Sequence, residues 1–192
     1  MKIGIDLDDV LADTMPVLVA YHNDMYGTTL TKDDVWSYRL WDVVGVSQEE
    51  TLKRIYAFER SAKLMDIAPM PGAKRAIDSL RGKHELSIIT ARDSEFADIT
   101  KHWMTRYFPD VFSEIHFANH HSPTATPRSK GDICREIGAS VMIDDSFNNV
   151  LSCHNVCDDG VLLFDAPWNI NEQLLDGMHR VSSWHDIVER IP

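Results

Sequence analysis

The chain has 192 residues, with 19 Lys and Arg against 30 Asp and Glu, giving a formal net charge of −11. That length accommodates one full core plus a modest insertion, and 44% hydrophobic with 26% charged residues excludes disorder over most of the chain. The acidic balance repels phosphate backbones and excludes a nucleic-acid polymer as partner, but it leaves room for a small anion beside local cations or a bound metal ion.

Short β-rich runs alternate with helical patterns along the chain. The first run is Ile3–Leu7, followed by an amphipathic stretch opening residues 15–34 through Val17, Leu18, Tyr21 and Met25. Ser47-x-x-Glu50 has the capping-box form and heads a predicted helix through Leu52, Ile55, Tyr56 and Phe58–Glu59. Pro69-Met70-Pro71-Gly72 punctuates the return to the core. Strands are then predicted at Leu86–Thr90, Ile115–Ala118, Val141–Ile143 and Val161–Phe164, with helices at Ala73–Leu80, Glu95–Tyr107, Gly131–Ile137 and Phe147–Asn155. Near-continuous apolar strands between helices predict an α/β fold, a doubly wound parallel sheet covered on both faces. Residues 1–14 and 71–192 form its core, and residues 15–70 form a small helical cap inserted after the first strand.

Other segments carry less. Ser122 to Pro127 reads as a loop, and Trp168 with Asn169 reads as an aromatic-packed strand exit. No run approaches the roughly 20 apolar residues that span a bilayer, so no membrane partner is expected. Acidic residues arrive before any signal-peptide core could form, so the expected location is cytoplasmic. Cys134, Cys153 and Cys157 read as reduced core thiols, and His116, His120 and His121 as surface histidines without zinc-ligand spacing.

The chemistry concentrates at strand ends. The first apolar run closes in Asp6-x-Asp8, at the sheet edge where α/β folds place ligands, and strand spacing points both groups the same way. A second acidic pair, Asp144-Asp145, closes Val141-Met142-Ile143. If those strands are neighbours, their hard oxygen ligands suit Mg²⁺. Thr90 and Arg92 close another strand, and Lys130 precedes a helix. Thr90 can donate to a phosphoryl oxygen, and Lys130 supplies a compact positive charge, a role that Arg128 could also take. Arg92 either binds substrate or pairs with Asp93 or Glu95.

This ordered set resembles the haloacid dehalogenase-like (HAD) phosphohydrolase superfamily, with its Rossmann-like core. The opening Asp6-x-Asp8-x-Val10-Leu11-Ala12-Asp13, with a helical insertion directly after it, resembles the 5′(3′)-deoxyribonucleotidase (deoxy, cytosolic type C) family. The resemblance implies Asp6 as nucleophile and Asp8 as general acid/base. It implies Mg²⁺ held by the Asp6 carboxylate, the Asp8 backbone carbonyl and one of Asp144 or Asp145, leaning to Asp145 with Asp144 as its partner. Thr90 and Lys130 would grip the phosphoryl group, and Arg92 stands beside them as a further phosphate-binding candidate. The family's commonest form has Gly where this chain has Asp9, which reads as a turn residue; Asp13 reads as a cap of the following helix.

A phosphate dianion repels a carboxylate, and a bridging cation removes that repulsion. Asp6 would then form an aspartyl phosphate, and Asp8, a neighbouring acid, favours phosphate over halide chemistry. Trp36, Tyr38, Trp41 and Phe58 are candidates for an aromatic platform over the substrate, most of them serving the insertion's own core. The expected activity is a Mg²⁺-dependent phosphomonoesterase on nucleoside monophosphates. Alternatives are a sugar phosphate or phosphoglycolate as substrate, or a non-catalytic binding module, and an oligomer is compatible with all of them.

Overall fold

A computed structural model describes residues 1–120, 122 and 124–191. Its sheet has six strands in the order β3-β2-β1-β4-β5-β6, and every pairing is parallel. The strands are β1 (Lys2–Ile5), β2 (Glu85–Thr90), β3 (Glu114–Phe117), β4 (Val141–Asp144), β5 (Val161–Phe164) and β6 (Met178–Val181). The chain winds outward from β1 to β3 on one side, then returns to place β4 on the other. The strand order therefore reverses between β1 and β4, the position where such sheets open a crevice beyond their carboxyl ends.

Alternation along the strands divides the core into two layers. Ile3, Ile5, Val141 and Ile143 pack with α4 (Ala73–Leu80), α5 (Ala97–Tyr107) and α8 (Trp184–Arg190). Ile89, Met142 and Leu163 pack with α6 (Lys130–Ile137) and α7 (Phe147–Cys153). Gly4 permits this second layer to close, because a Cβ there would lie 2.8 Å from Ile89 Cδ1 and 2.9 Å from Met142 Sδ.

Between β1 and α4 come α1 (Thr14–Tyr26), α2 (Leu40–Val44), α3 (Gln48–Glu59) and two 3₁₀ turns at Lys32–Asp34 and Ala62–Asp66. Gly27 and Gly45 end α1 and α2 in the left-handed conformation. Ser47 caps α3 as predicted, accepting from Glu50 N at 3.2 Å. Only that half of the box forms, because the Glu50 carboxylate takes Arg54 Nε at 2.9 Å. Met15, Val19 and Val35 make a small core with Ala166 and Trp168, which ties these helices to the sheet.

Several expectations need correction. β1 ends at Ile5 rather than Leu7, because the chain leaves the sheet after Asp6 N donates to Ile143 O and turns back through Leu11 N and Ala12 N on Leu7 O. Asp6 and Asp8 thus stand on a loop, and strand alternation does not explain their shared direction. Strand β6 and helix α8 went unpredicted, since β6 is four residues long and half exposed. α8 nevertheless matters to the loop: Trp184 is fully buried and its indole donates to Val10 O at 2.8 Å. The three cysteines are free and buried, as expected. Cys134 Sγ on α6 lies 3.7 Å from Cys153 Sγ on α7.

Candidate active site

The loop after β1 and the tip of β4 bring three carboxylates together. Among the described residues, Asp6, Asp144 and Asp145 form a buried group whose oxygens lie within 4.8 Å of one another. Lys130, fully buried at the start of α6, spans two of them, with Nζ 2.7 Å from Asp6 Oδ1 and 2.7 Å from Asp144 Oδ2. Arg128, the alternative cation, instead pairs with Glu136 at the surface.

Each carboxylate is aimed by its own donors. Asp6 Oδ1 also accepts from Leu7 N at 2.7 Å. Asp144 Oδ1 accepts from Ser146 N at 2.9 Å and Asn149 Nδ2 at 3.0 Å. Asp145 Oδ2 accepts from Trp168 Nε1 at 2.7 Å, while Asn169 Nδ2 donates to its backbone carbonyl at 2.7 Å. Trp168 and Asn169 therefore do more than pack a strand exit. They orient an acid at the site.

Burial pushes the Asp6 carboxyl up to about 7, with Asp144 adding to the rise and Lys130 opposing it. Asp145 is raised well above the usual carboxylate value by burial, then by Asp144 and Asp6. Lys130 goes up despite burial, because Asp144 and Asp6 hold its proton. Excess negative charge crowded around one buried ammonium is the electrostatic setting of a cation site. The hard oxygen donors match Mg²⁺ rather than a soft metal.

Asp8 has a different environment. Arg92 grips it bidentately, Nε to Oδ2 at 2.9 Å and Nη2 to Oδ1 at 2.7 Å, and Thr14 Oγ1 donates at 2.6 Å. Burial pushes Asp8 up, but Arg92 and Thr14 outweigh it and hold the carboxyl below its ordinary value. Arg92 thus pairs with neither Asp93 nor Glu95, and its remaining nitrogen donates to Thr100 at 3.2 Å. Thr90 is fully buried at the tip of β2, its hydroxyl accepting from Arg92 N at 3.2 Å.

Asp9 occupies the left-handed conformation, at φ 58°. Its Oδ1 accepts from Met15 N at 3.1 Å in the first turn of α1 and from Lys32 Nζ at 3.2 Å. Asp13 stands at the α1 cap position without accepting a helix N–H; its carboxylate takes Lys32 instead, at 3.1 Å. The helix-capping role expected of Asp13 falls to Asp9.

A cavity opens above Asp6, Asp8 and Asp145, walled by Leu18 from α1, Leu40 and Trp41 from α2, and Leu52 and Ile55 from α3. Of the predicted aromatics, Tyr38, Trp41 and Phe58 line it. Tyr38 is 40% exposed, yet its hydroxyl is raised by burial and by the charges of Asp145 and Asp144, which places that end near the acids. Phe58 is also a core residue, at 2% exposure. Trp36 is a correction: it is 62% exposed and does not line the cavity. His116 pairs with Glu114, and His120 Nε2 lies 2.9 Å from Arg128 O; His121 lies outside the described residues.

Glu59 went unrecognised as a cavity residue. Burial pushes its carboxyl up to about 8, with Arg92 opposing. Its signal was present in the spacing: Leu52, Ile55, Tyr56 and Glu59 follow the i, i+3, i+4, i+7 rule of a single helix face, and all line the cavity.

The family model described as 5′ nucleotidase, deoxy (pyrimidine), cytosolic type C protein matches residues 1–191. The chain belongs to that family. It is accordingly a phosphoric monoester hydrolase, which removes the binding-module alternative. The 5′(3′)-deoxyribonucleotidase of Bacillus subtilis is 28% identical over 196 residues, covering 98% of this chain and 97% of that protein. Among solved structures, the haloacid dehalogenase-like protein SP0104 of Streptococcus pneumoniae aligns with a TM-score of 0.71 at 15% identity, covering 100% of this chain and 98% of that one. The HAD hydrolase YfnB of Bacillus subtilis, bound to magnesium, aligns with a TM-score of 0.63 at 12% identity, covering 98% of this chain and 96% of that one. These structures share the fold of the family member described here. Among the described residues, no helix is long and apolar enough to cross a membrane.

Proposed function

We propose that this enzyme is a cytoplasmic, Mg²⁺-dependent 5′-nucleotidase that hydrolyses (deoxy)nucleoside monophosphates through a phosphorylated Asp6. The observation that carries this reading is the cluster of Asp6, Asp144 and Asp145 bridged by buried Lys130, beneath a cavity with apolar walls. Asp6 and Asp145, with the Asp8 backbone carbonyl, would hold the cation, and Asp144 would anchor Lys130 beside them. When bound, Mg²⁺ supplies positive charge that offsets repulsion between the phosphate dianion and the carboxylates.

The chain's own groups do the rest. Asp6 attacks phosphorus in line with the leaving oxygen, and the ester P–O bond breaks as the Asp6–P bond forms. Lys130 and Thr90 stabilise charge on the transferred group. Asp8 gives a proton to the leaving alkoxide and later takes one from the water that hydrolyses the aspartyl phosphate. Its pairing with Arg92 keeps Asp8 ionised, the form needed in the second step, so before the first step the pair must loosen and Asp8 must take up a proton from solvent. Arg92 therefore acts through Asp8 as a positioning residue, in addition to any contact with the phosphate. Residues 15–70 act as a cap that shields the reacting centre from bulk water.

A panel of phosphomonoesters tests the proposal. Nucleoside monophosphates should exceed sugar phosphates and phosphoglycolate in kcat/KM, activity should vanish on chelation and return with Mg²⁺, and Asp6→Asn should lose about 10³-fold or more. Equal turnover by Asp6→Asn and the parent enzyme would remove the nucleophile.

A further inference from the structure

Helix α3 presents an apolar stripe to the cavity, broken at its last turn by Glu59. The other acids of this helix have basic partners one turn away: Glu49 with Lys53 at 2.7 Å and Glu50 with Arg54 at 2.9 Å. Among the described residues Glu59 makes no hydrogen bond and no ion pair. The nearest cation that acts on it, Arg92, is already engaged bidentately by Asp8. Half-buried and lining the cavity, its carboxyl group leaves its hydrogen-bonding capacity open to a ligand.

Placement indicates which part of a ligand that is. Glu59 sits at the end of α3 and lines the same cavity as Arg92 and Asp8, whose charges act on it. At a rise of about 1.5 Å per residue, Leu52 lies about 10 Å farther along the helix axis. The wall thus runs from a polar end at the proposed leaving-group acid to an apolar end long enough to meet a flat ring. An acid at the polar end disfavours the phosphate and favours hydroxyl groups next to the ester oxygen.

We infer that Glu59 is a specificity-determining residue that hydrogen-bonds a sugar hydroxyl of the leaving nucleoside, an inference that rests on the nucleotidase reading above. The aliphatic wall takes the base, and Glu59 selects for hydroxylated sugars over otherwise identical ones.

The test compares 5′-monophosphates of one base carrying ribose, 2′-deoxyribose or 2′,3′-dideoxyribose. The parent enzyme should favour at least one hydroxylated substrate over the dideoxy form by about tenfold or more in kcat/KM, mainly through KM. Glu59→Gln, which keeps a donor and an acceptor, should retain most of that ratio, and Glu59→Leu should reduce it to about twofold or less. Each ratio is measured within one preparation, so the fraction of folded enzyme cancels. A parent ratio near one, or a Glu59→Leu ratio equal to the parent's, overturns the inference. Parent enzyme that hydrolyses p-nitrophenyl phosphate but no nucleotide overturns the nucleotidase reading and this inference with it, and that result is visible without any variant.

Discussion

On the floor of the cavity every charged side chain is tied down: Lys130 reaches Asp6 and Asp144, Arg92 grips Asp8, and Trp168 holds Asp145. On the wall, Leu40, Trp41, Leu52 and Ile55 meet the same space with apolar surface, and Glu59 alone interrupts α3's contribution without a partner of its own. The floor is specified by directional bonds, so its geometry tolerates little change. The wall is specified by shape and burial, which volume-conserving swaps alter only gradually. Reaction chemistry belongs to the first region and substrate choice to the second.

The largest effect that would break this contrast is expected at Lys130. Lys130→Ala leaves Asp6 and Asp144 facing each other without their shared cation, a loss worth about 3–5 kcal/mol in a buried site. Urea unfolding should show that loss, together with loss of turnover; a variant as stable as the parent would mean the floor is not held by this pair of bridges. Next comes Arg92→Gln, which frees Asp8 from its fork. It should lower kcat about 10²-fold with a smaller change in KM, and Arg92→Lys should not rescue it, because an ammonium cannot reproduce the bidentate contact.

Trp168→Phe sharpens the same comparison at the indole that donates to Asp145. Removing the indole N–H from Asp145 should raise the Mg²⁺ concentration for half-maximal activity by about 10–100-fold while leaving the ring packing in place. The smallest effect lies in the wall's support. His22 on α1 bonds Thr28 through Nδ1 at 2.9 Å and meets Arg54 through Nε2 at 3.2 Å. Burial and Arg54 lower its proton affinity in the folded chain. Below about pH 6.5 the unfolded chain therefore binds the proton more readily, and stability contributed by neutral His22 is lost as pH falls. The urea midpoint should drop between pH 7 and pH 5 by more in the parent than in His22→Asn.

Much of the floor could be read from residue order, because its pieces lie at or within a few residues of strand ends or at a helix start. Apolar runs and turn residues located β1, β2, β4, β5 and α4, and the acids that follow β1 and close β4 were read with them. The pairings across the floor could not be read that way. Asp93 and Glu95 stand beside Arg92 in sequence, yet its partner is Asp8 on another strand's loop, 84 positions away. Trp168 looked like packing because its hydrogen bond to Asp145 depends on the loop after β5 folding back over β4. Trp36 illustrates the converse: an aromatic in the right segment carries no information about which side of a short turn it occupies.

The most direct test of the central claim is to acid-quench the enzyme during turnover of a nucleoside monophosphate with Mg²⁺ and to map the phosphoryl group by peptide mass spectrometry. The account predicts one phosphoryl group on the peptide bearing Asp6, absent from Asp6→Asn. Phosphate trapped on another side chain, or undiminished in Asp6→Asn, would contradict it.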